Sequence, residues 1–215
     1  MKVLAIGVHP DDIEFGMGST FAKHINLGHE IMPVILTDGA RNDSGNYIRS
    51  DYRREESIKA LGILGYKAEI KFLNLPEITD DQPIIGVLED LINEFQPDRI
   101  YTHSRNDRHQ DHRKCSYAVL SAGRYINEIF LFEIYSVFPE FIPKYIINIS
   151  RELLDLKIQA LLQYKSQFKN MQLVAKMIEG MAIKNSFINY TTQTQHIRYS
   201  EVFEIGKLIK TDNNI

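Results

Sequence analysis

A single cysteine, Cys115, stands in 215 residues. One thiol closes no internal disulfide, and cysteine-based zinc sites need several thiolates. The scarcity fits a reducing compartment. No stretch approaches the roughly 18 consecutive apolar residues of a membrane span. The apolar run Val3–Val8 is too short for a signal peptide and stops at His9-Pro10-Asp11-Asp12. A cytoplasmic chain with no membrane partner is expected. An excess of one charge sign is absent too: 25 Lys+Arg stand against 28 Asp+Glu, a formal net charge of −3. Nucleic-acid binding would need a basic face, so no nucleic-acid partner is expected. Gly7, Gly16 and Gly18 make no dinucleotide fingerprint, because His-Pro-Asp-Asp occupies the loop where glycines should approach a pyrophosphate. There is no P-loop, internal repeat or low-complexity tract.

What is present is a well-stocked core. Hydrophobic residues make up 44% and charged residues 25%, enough at this length to fold without metal or disulfide staples. Apolar runs alternate with amphipathic stretches. Strands are expected at Val3–Val8, Glu30–Leu36, Ala68–Leu73 and Arg99–His103, and helices at Glu14–Leu27, Asp51–Leu64, Pro83–Phe95 and His109–Ala122. Short apolar strands spaced by helices predict parallel βαβ units, with the sheet buried on both faces. The fold class is therefore α/β, a Rossmann-like three-layer domain with a mostly parallel sheet. After residue 125 the pattern changes. Ile129–Val137, Tyr145–Ile149 and Val202–Ile205 read as strands, and helices are expected from Ser150 through Tyr164 and over Met171–Lys184. One domain, 1–215, is expected, with 1–125 as the core and 126–215 as a C-terminal α/β elaboration shaping the substrate mouth. The polar tail, Lys210–Ile215, is expected to fray.

In an open parallel sheet, ligands bind beyond the carboxyl ends of the strands, near the switch in strand order. Two polar clusters fall there: His9-Pro10-Asp11-Asp12 after the first strand, and His109-Gln110-Asp111-His112 after the fourth. In a Rossmann-like order these strands are neighbours, so the clusters should meet although they lie about 100 residues apart in the chain. Together they offer three imidazoles and three carboxylates. Two His and one carboxylate form a common catalytic zinc set with one position left for water. A remaining carboxylate can take a proton from that water, and a remaining imidazole can stabilise developing charge. Each cluster also has a plain reading, Asp-Asp as a helix cap and His109–His112 as a solvated helix start. Their pairing at two strand ends favours chemistry.

The first cluster with Ile13-Glu14-Phe15-Gly16-Met17-Gly18-Ser19-Thr20 resembles the N-terminal signature of the LmbE-like (PIG-L) zinc deacetylases. Asn106-Asp107-Arg108-His109-Gln110-Asp111-His112 resembles the second motif of that family. Weaker similarities lie in Arg53-x-x-Glu56 with Ala60-Leu61-Gly62, in Leu156-Lys157-x-x-Ala160-Leu161-x-x-Tyr164-x-Ser166-Gln167, and in Glu201-x-Phe203. The resemblance implies that His9, Asp12 and His112 bind Zn2+, with Fe2+ or Co2+ able to fit a similar set. It implies that Asp11 is the general base, that His109 as imidazolium holds the oxyanion, and that Asp111 orients His109. Arg53 would bind sugar hydroxyls or the tetrahedral oxygens. The implied reaction is hydrolysis of the acetamide of a small-molecule N-acetylglucosamine-type sugar or glycoconjugate, giving a free amino sugar and acetate. A homo-oligomer is expected, as family members often are.

Other residues carry less. Asp38 after the second strand reads equally as a turn former. Asp107 could brace the His109 loop, and Glu133 could reach the substrate rim. His24, His29, His103 and His196 read as structural or surface, with His103 able to border the pocket. A metal-dependent amidase or phosphoesterase is the competing enzymatic reading, although two-metal sites usually carry more carboxylates. A catalytically inactive sugar-binding protein is the non-enzymatic one.

Overall fold

The computed structural model describes residues 1–39, 49–75, 78, 84–189 and 198–210. Pro83, His196 and residues 211–215 therefore lie outside the described residues. Seven strands form one sheet: β1 (Lys2–Gly7), β2 (Glu30–Thr37), β3 (Lys71–Leu75), β4 (Arg99–His103), β5 (Glu128–Phe132), β6 (Tyr145–Asn148) and β7 (Ser200–Leu208). Their order is β3-β2-β1-β4-β5-β7-β6. The first five run parallel, and β7 pairs antiparallel with both β5 and β6. The helices are α1 (Asp12–Asn26), α2 (Ser50–Ile63), α3 (Ile84–Phe95), α4 (Gln110–Ala122), α5 (Arg151–Leu161) and α6 (Met171–Ser186). No helix among the described residues is long and apolar enough to cross a membrane.

Alternation along each strand divides the core in two. Val3 and Ala5 of β1 join Tyr101, Phe130 and Phe132 on the face covered by α1, α2, α5 and α6. Leu4 and Ile6 join Ile100, Ile129 and Leu131 on the face covered by α3 and α4. Successive side chains of a strand point to opposite faces, so a run of apolar residues supplies both cores at once. The expected change of pattern at residue 125 falls before β5, yet β5 still continues the parallel array, aligned with β4 from Arg99↔Glu128 to His103↔Phe132. Antiparallel pairing begins only with β7.

The fifth strand is shorter than its apolar run predicts, ending at Phe132 rather than Val137. Beyond it the chain leaves the sheet to brace the loop before α4. Val137 bridges Asp107, and Arg108 N–H donates to the Ser136 carbonyl at 2.9 Å.

Helix α1 is kinked at Met17, whose φ of −147° and ψ of 23° are non-helical. The kink frees the amides of the following turn, which need acceptors just as a helix start does. Glu201 of β7 supplies them, accepting from Ser19 N–H at 3.0 Å and Thr20 N–H at 2.7 Å. Lys157 of α5 offsets its charge at 2.6 Å. Gly16 sits beside this kink, where an added Cβ would stand 2.2 Å from the Phe132 ring. Only glycine lets α1 lie that close to β5. Two of the weak sequence similarities, around Lys157 and Glu201, thus converge on one buried polar joint.

Candidate active site

The switch in strand order falls between β1 and β4, as their neighbouring positions require, because β2 leads outward from one side of β1 and β5 from the far side of β4. His9, Asp11 and Asp12 follow β1, His103 ends β4, and His109, Asp111 and His112 open α4. The two clusters meet. His9 Nδ1 lies 3.2 Å from His112 Nε2 and 3.6 Å from Asp12 Oδ2. His112 Nε2 lies 3.5 Å from Asp12 Oδ1. Donors about 2.1 Å from a shared tetrahedral ion stand about 3.4 Å apart, so this spacing fits a metal of zinc size.

Two overlapping groups of metal-capable side chains fit less well. His103, Asp107 and His112 are close enough in distance. The His103 and His112 rings, however, are stacked with centroids 4.0 Å apart and planes 17° from parallel. Parallel rings cannot both aim in-plane lone pairs at one ion. In the group of His9, His109 and Asp111, His109 Nδ1 already accepts the Asp111 amide at 3.3 Å. The His9 and His112 rings, by contrast, are tilted by 56° and can converge.

The backbone prepares this arrangement. Asp12 Oδ2 accepts Val8 N–H at 2.9 Å and His9 N–H at 2.7 Å, which folds the loop back onto the strand end. Asp11 takes φ 118°, ψ −23°, a conformation that costs a non-glycine residue on the order of 1–3 kcal/mol. Adjacent Asp11 and Asp12 therefore point apart and can divide two tasks.

Electrostatics favour a cation here. Burial opposes charge on His9, but Asp111 and Asp12 outweigh it and raise its pKa to about 10. Burial likewise opposes ionisation of Asp12, yet His112, His103 and His9 hold its carboxyl well below the usual range. An anionic donor set that pulls a proton onto an imidazole is one that a metal ion would satisfy instead. Burial pushes the Asp11 carboxyl up to about 7, opposed by Arg53, supported by Asp12 and opposed by His9.

Residues 4–123 match the GlcNAc-PI de-N-acetylase (PIG-L) family. The chain belongs to that family. It is 36% identical over 171 residues to the uncharacterized deacetylase YaiS of Escherichia coli, covering 76% of this chain and 90% of that one. Its fold is similar to the N,N'-diacetylchitobiose deacetylase of Pyrococcus horikoshii, with a TM-score of 0.77 and 24% identity over 95% of this chain and 83% of that one. It is also similar to the 4-carboxy-2-hydroxymuconate hydratase GalB of Pseudomonas putida, with a TM-score of 0.80 and 21% identity over 99% and 98% of the two chains.

Within this PIG-L frame, three expectations change. Asp111 was expected to orient His109, but its carboxylate Oδ2 lies 3.7 Å from His9 Nε2. Residues i and i+2 at a helix start do not face each other. What His109 receives is the Asp111 main-chain N–H on Nδ1, which leaves Nε2 as the protonated nitrogen. Nor is His109 disposed to be an imidazolium, since burial and then His112 and His9 lower its pKa. Arg53, expected to meet the sugar, is only 2% exposed. Its guanidinium points at the Pro10 carbonyl, at 2.5 Å, and at Asp11 Oδ2, at 3.4 Å.

Two residues matter more than their sequence context signals. His103 is completely buried, with Nε2 3.0 Å from Asp12 Oδ2, and burial followed by His112 lowers its pKa to about 4. Its one sequence signal is its place at the carboxyl end of β4. Asp107 accepts His109 N–H at 2.8 Å and Ser136 O–H at 2.7 Å, and its other oxygen lies 3.1 Å from His112 Nδ1. It therefore braces both histidines of the second cluster. Glu133 turns away from any rim: it accepts from Lys184 and Asn185 and ties α6 to the end of β5.

Proposed function

We propose that this chain is a metal-dependent N-deacetylase that hydrolyses the acetamide of an N-acetylglucosamine-type sugar or glycoconjugate to the free amine and acetate. The observation that carries the reading is the convergence of His9 Nδ1, Asp12 and His112 Nε2 at spacings of 3.2–3.6 Å. These three would hold the ion, and their nitrogen–oxygen character suits zinc, with Fe2+ or Co2+ able to fit. A divalent ion bound there supplies Lewis acidity toward water and toward an amide carbonyl.

The protein side chains supply the remaining steps. Asp11 takes a proton from the attacking water and later delivers it to the departing amine, so one carboxylate serves as base and then acid. His109 donates its Nε2–H to the developing oxyanion; such a donor is typically worth about 3 kcal/mol in the transition state. A neutral imidazole suffices, because donation moves no proton. Asp111 orients His9 through Nε2, and Asp107 orients His112 through Nδ1, the carboxylate–histidine arrangement that fixes ring direction at metal sites.

The test is an acetate-release screen of the zinc-loaded protein across free, nucleotide-linked and glycosidically linked N-acetylhexosamines, with metal analysis alongside. Acetate from at least one class is expected. Full zinc occupancy with no acetate from any of them would overturn the reading. Because a hydratase shares the fold, fold alone does not select the reaction. Loss of an unsaturated acid's absorbance, without acetate release, would select hydration instead.

A further inference from the structure

Arg53 is among the largest fully buried side chains of the described residues. One guanidinium nitrogen reaches the Pro10 carbonyl at 2.5 Å and Asp11 Oδ2 at 3.4 Å. Another lies 3.4 Å from Ser166 Oγ and 3.9 Å from Glu56 Oε2. Glu56 is itself gripped by Ser166, which donates its N–H at 2.8 Å and its hydroxyl at 2.6 Å. The guanidinium carbon lies 5.6 Å from the centre of the Tyr164 ring, and the Tyr164 hydroxyl donates to buried Glu14 at 2.6 Å. On the remaining side Gly39 closes in: a Cβ there would stand 2.7 Å from Pro10 Cδ and 3.1 Å from Arg53 Nε.

Through Arg53 these contacts reach the one strained non-glycine residue of the loop. Asp11 sits at φ 118°, and such a conformation persists only where its surroundings over-determine it. We propose that Arg53, locked by Glu56 and Ser166, is a positioning residue that holds Asp11 in its left-handed conformation and aims its carboxylate into the site. The inference rests on Asp11 acting as the base. It gives a role to the Ser166 segment after α5, which lies about 155 residues from Asp11 in the chain. The C-terminal part of the molecule thereby sets the geometry of a residue in the first loop.

The test uses the zinc-loaded full chain, with N,N'-diacetylchitobiose as the acetate-release probe and crystal structures of the same variants. Ser166→Ala should lower kcat about 3–10-fold and Arg53→Lys about 10–100-fold, as a small misplacement of a reacting group does. KM and zinc stoichiometry should stay at wild-type values, since a group acting through the base removes no ground-state binding. In the crystals, residue 11 should leave the left-handed region. Ser166→Ala guards against the case in which a change at Arg53 unfolds the protein. A KM raised about tenfold with kcat unchanged would overturn the proposal, because Arg53 would then be binding substrate. So would an unmoved Asp11 in both variant structures, whatever the turnover. Asp11→Asn separates the two failures: wild-type activity there refutes the general-base reading, whereas the crystallographic comparison judges the clamp by itself.

Discussion

The two ends of the sheet both bury histidines and charged groups, and they resolve them in opposite ways. At the amino end, Arg99 donates to Glu128 at 2.7 Å and to the Tyr101 hydroxyl at 3.1 Å. That hydroxyl lies 3.2 Å from His24 Nε2, and His24 Nδ1 lies 2.7 Å from His29 Nδ1. At the carboxyl end, Glu14 Oε2, Arg53 Nε, His103 Nδ1 and Asp111 Oδ1 are buried without a hydrogen bond, while Asp107 Oδ2 faces His112 Nδ1 at 3.1 Å. A buried polar atom left unpaired costs on the order of 1–3 kcal/mol. One end therefore closes its polar groups into a network, and the other leaves several of them buried and unpaired. Stability should reside at the first end and chemistry at the second.

Metal removal should act on the carboxyl end and spare the amino end. Chelation, or His9→Ala, should abolish acetate release and empty the site by metal analysis, with little change in the unfolding of the amino-end network followed by amide exchange. Next, Asp11→Asn should keep the metal and lower kcat by about 10²–10⁴-fold, the usual worth of a positioned general base. Unchanged turnover would move the base elsewhere. His109→Ala should lower kcat by roughly 10²-fold or somewhat more, and His109→Gln should recover part of it, since an amide N–H can replace an imidazole donor. Recovery absent, with activity instead following protonation of residue 109, would restore the imidazolium.

The amino-end network should respond to pH instead, and only modestly. Burial, followed by repulsion from Arg99, lowers the His24 pKa from its usual 6.5 to about 3. The unfolded chain then takes up the proton first, so stability is full above pH 6.5 and falls as the pH drops toward 3. Between pH 6.5 and 5 this amounts to about 1–2 kcal/mol. Urea unfolding of His24→Gln should show a shallower acid slope than wild type, with acetate release at pH 7 unchanged. A loss of activity there would mean that the amino end is not merely structural.

The fold was largely legible because a strand buried on both faces must be apolar throughout and a covering helix must be apolar on one. β4 falls on Arg99–His103 as expected, and α1, α2 and α4 begin within two residues of their expected starts. β5 was over-extended by its own composition: Ile134 and Val137 are apolar, but they pack where the chain turns to brace Asp107. Residue type could not reveal that choice, since a buried loop and a buried strand use the same side chains.

At the site, residue type restricts the donors on offer: with a single thiol in the chain, the two clusters present nitrogen and oxygen, and His9, Asp12 and His112 are among the groups able to hold a metal ion. The direction of each side chain comes from packing. Asp111 serves His9 rather than His109, Arg53 faces inward to Asp11, and His103 stands directly behind Asp12. Spacing along a chain places Cα atoms on an element. Which way a side chain points, and what it meets there, depends on elements 40 to 150 residues distant, and only packing brings those together.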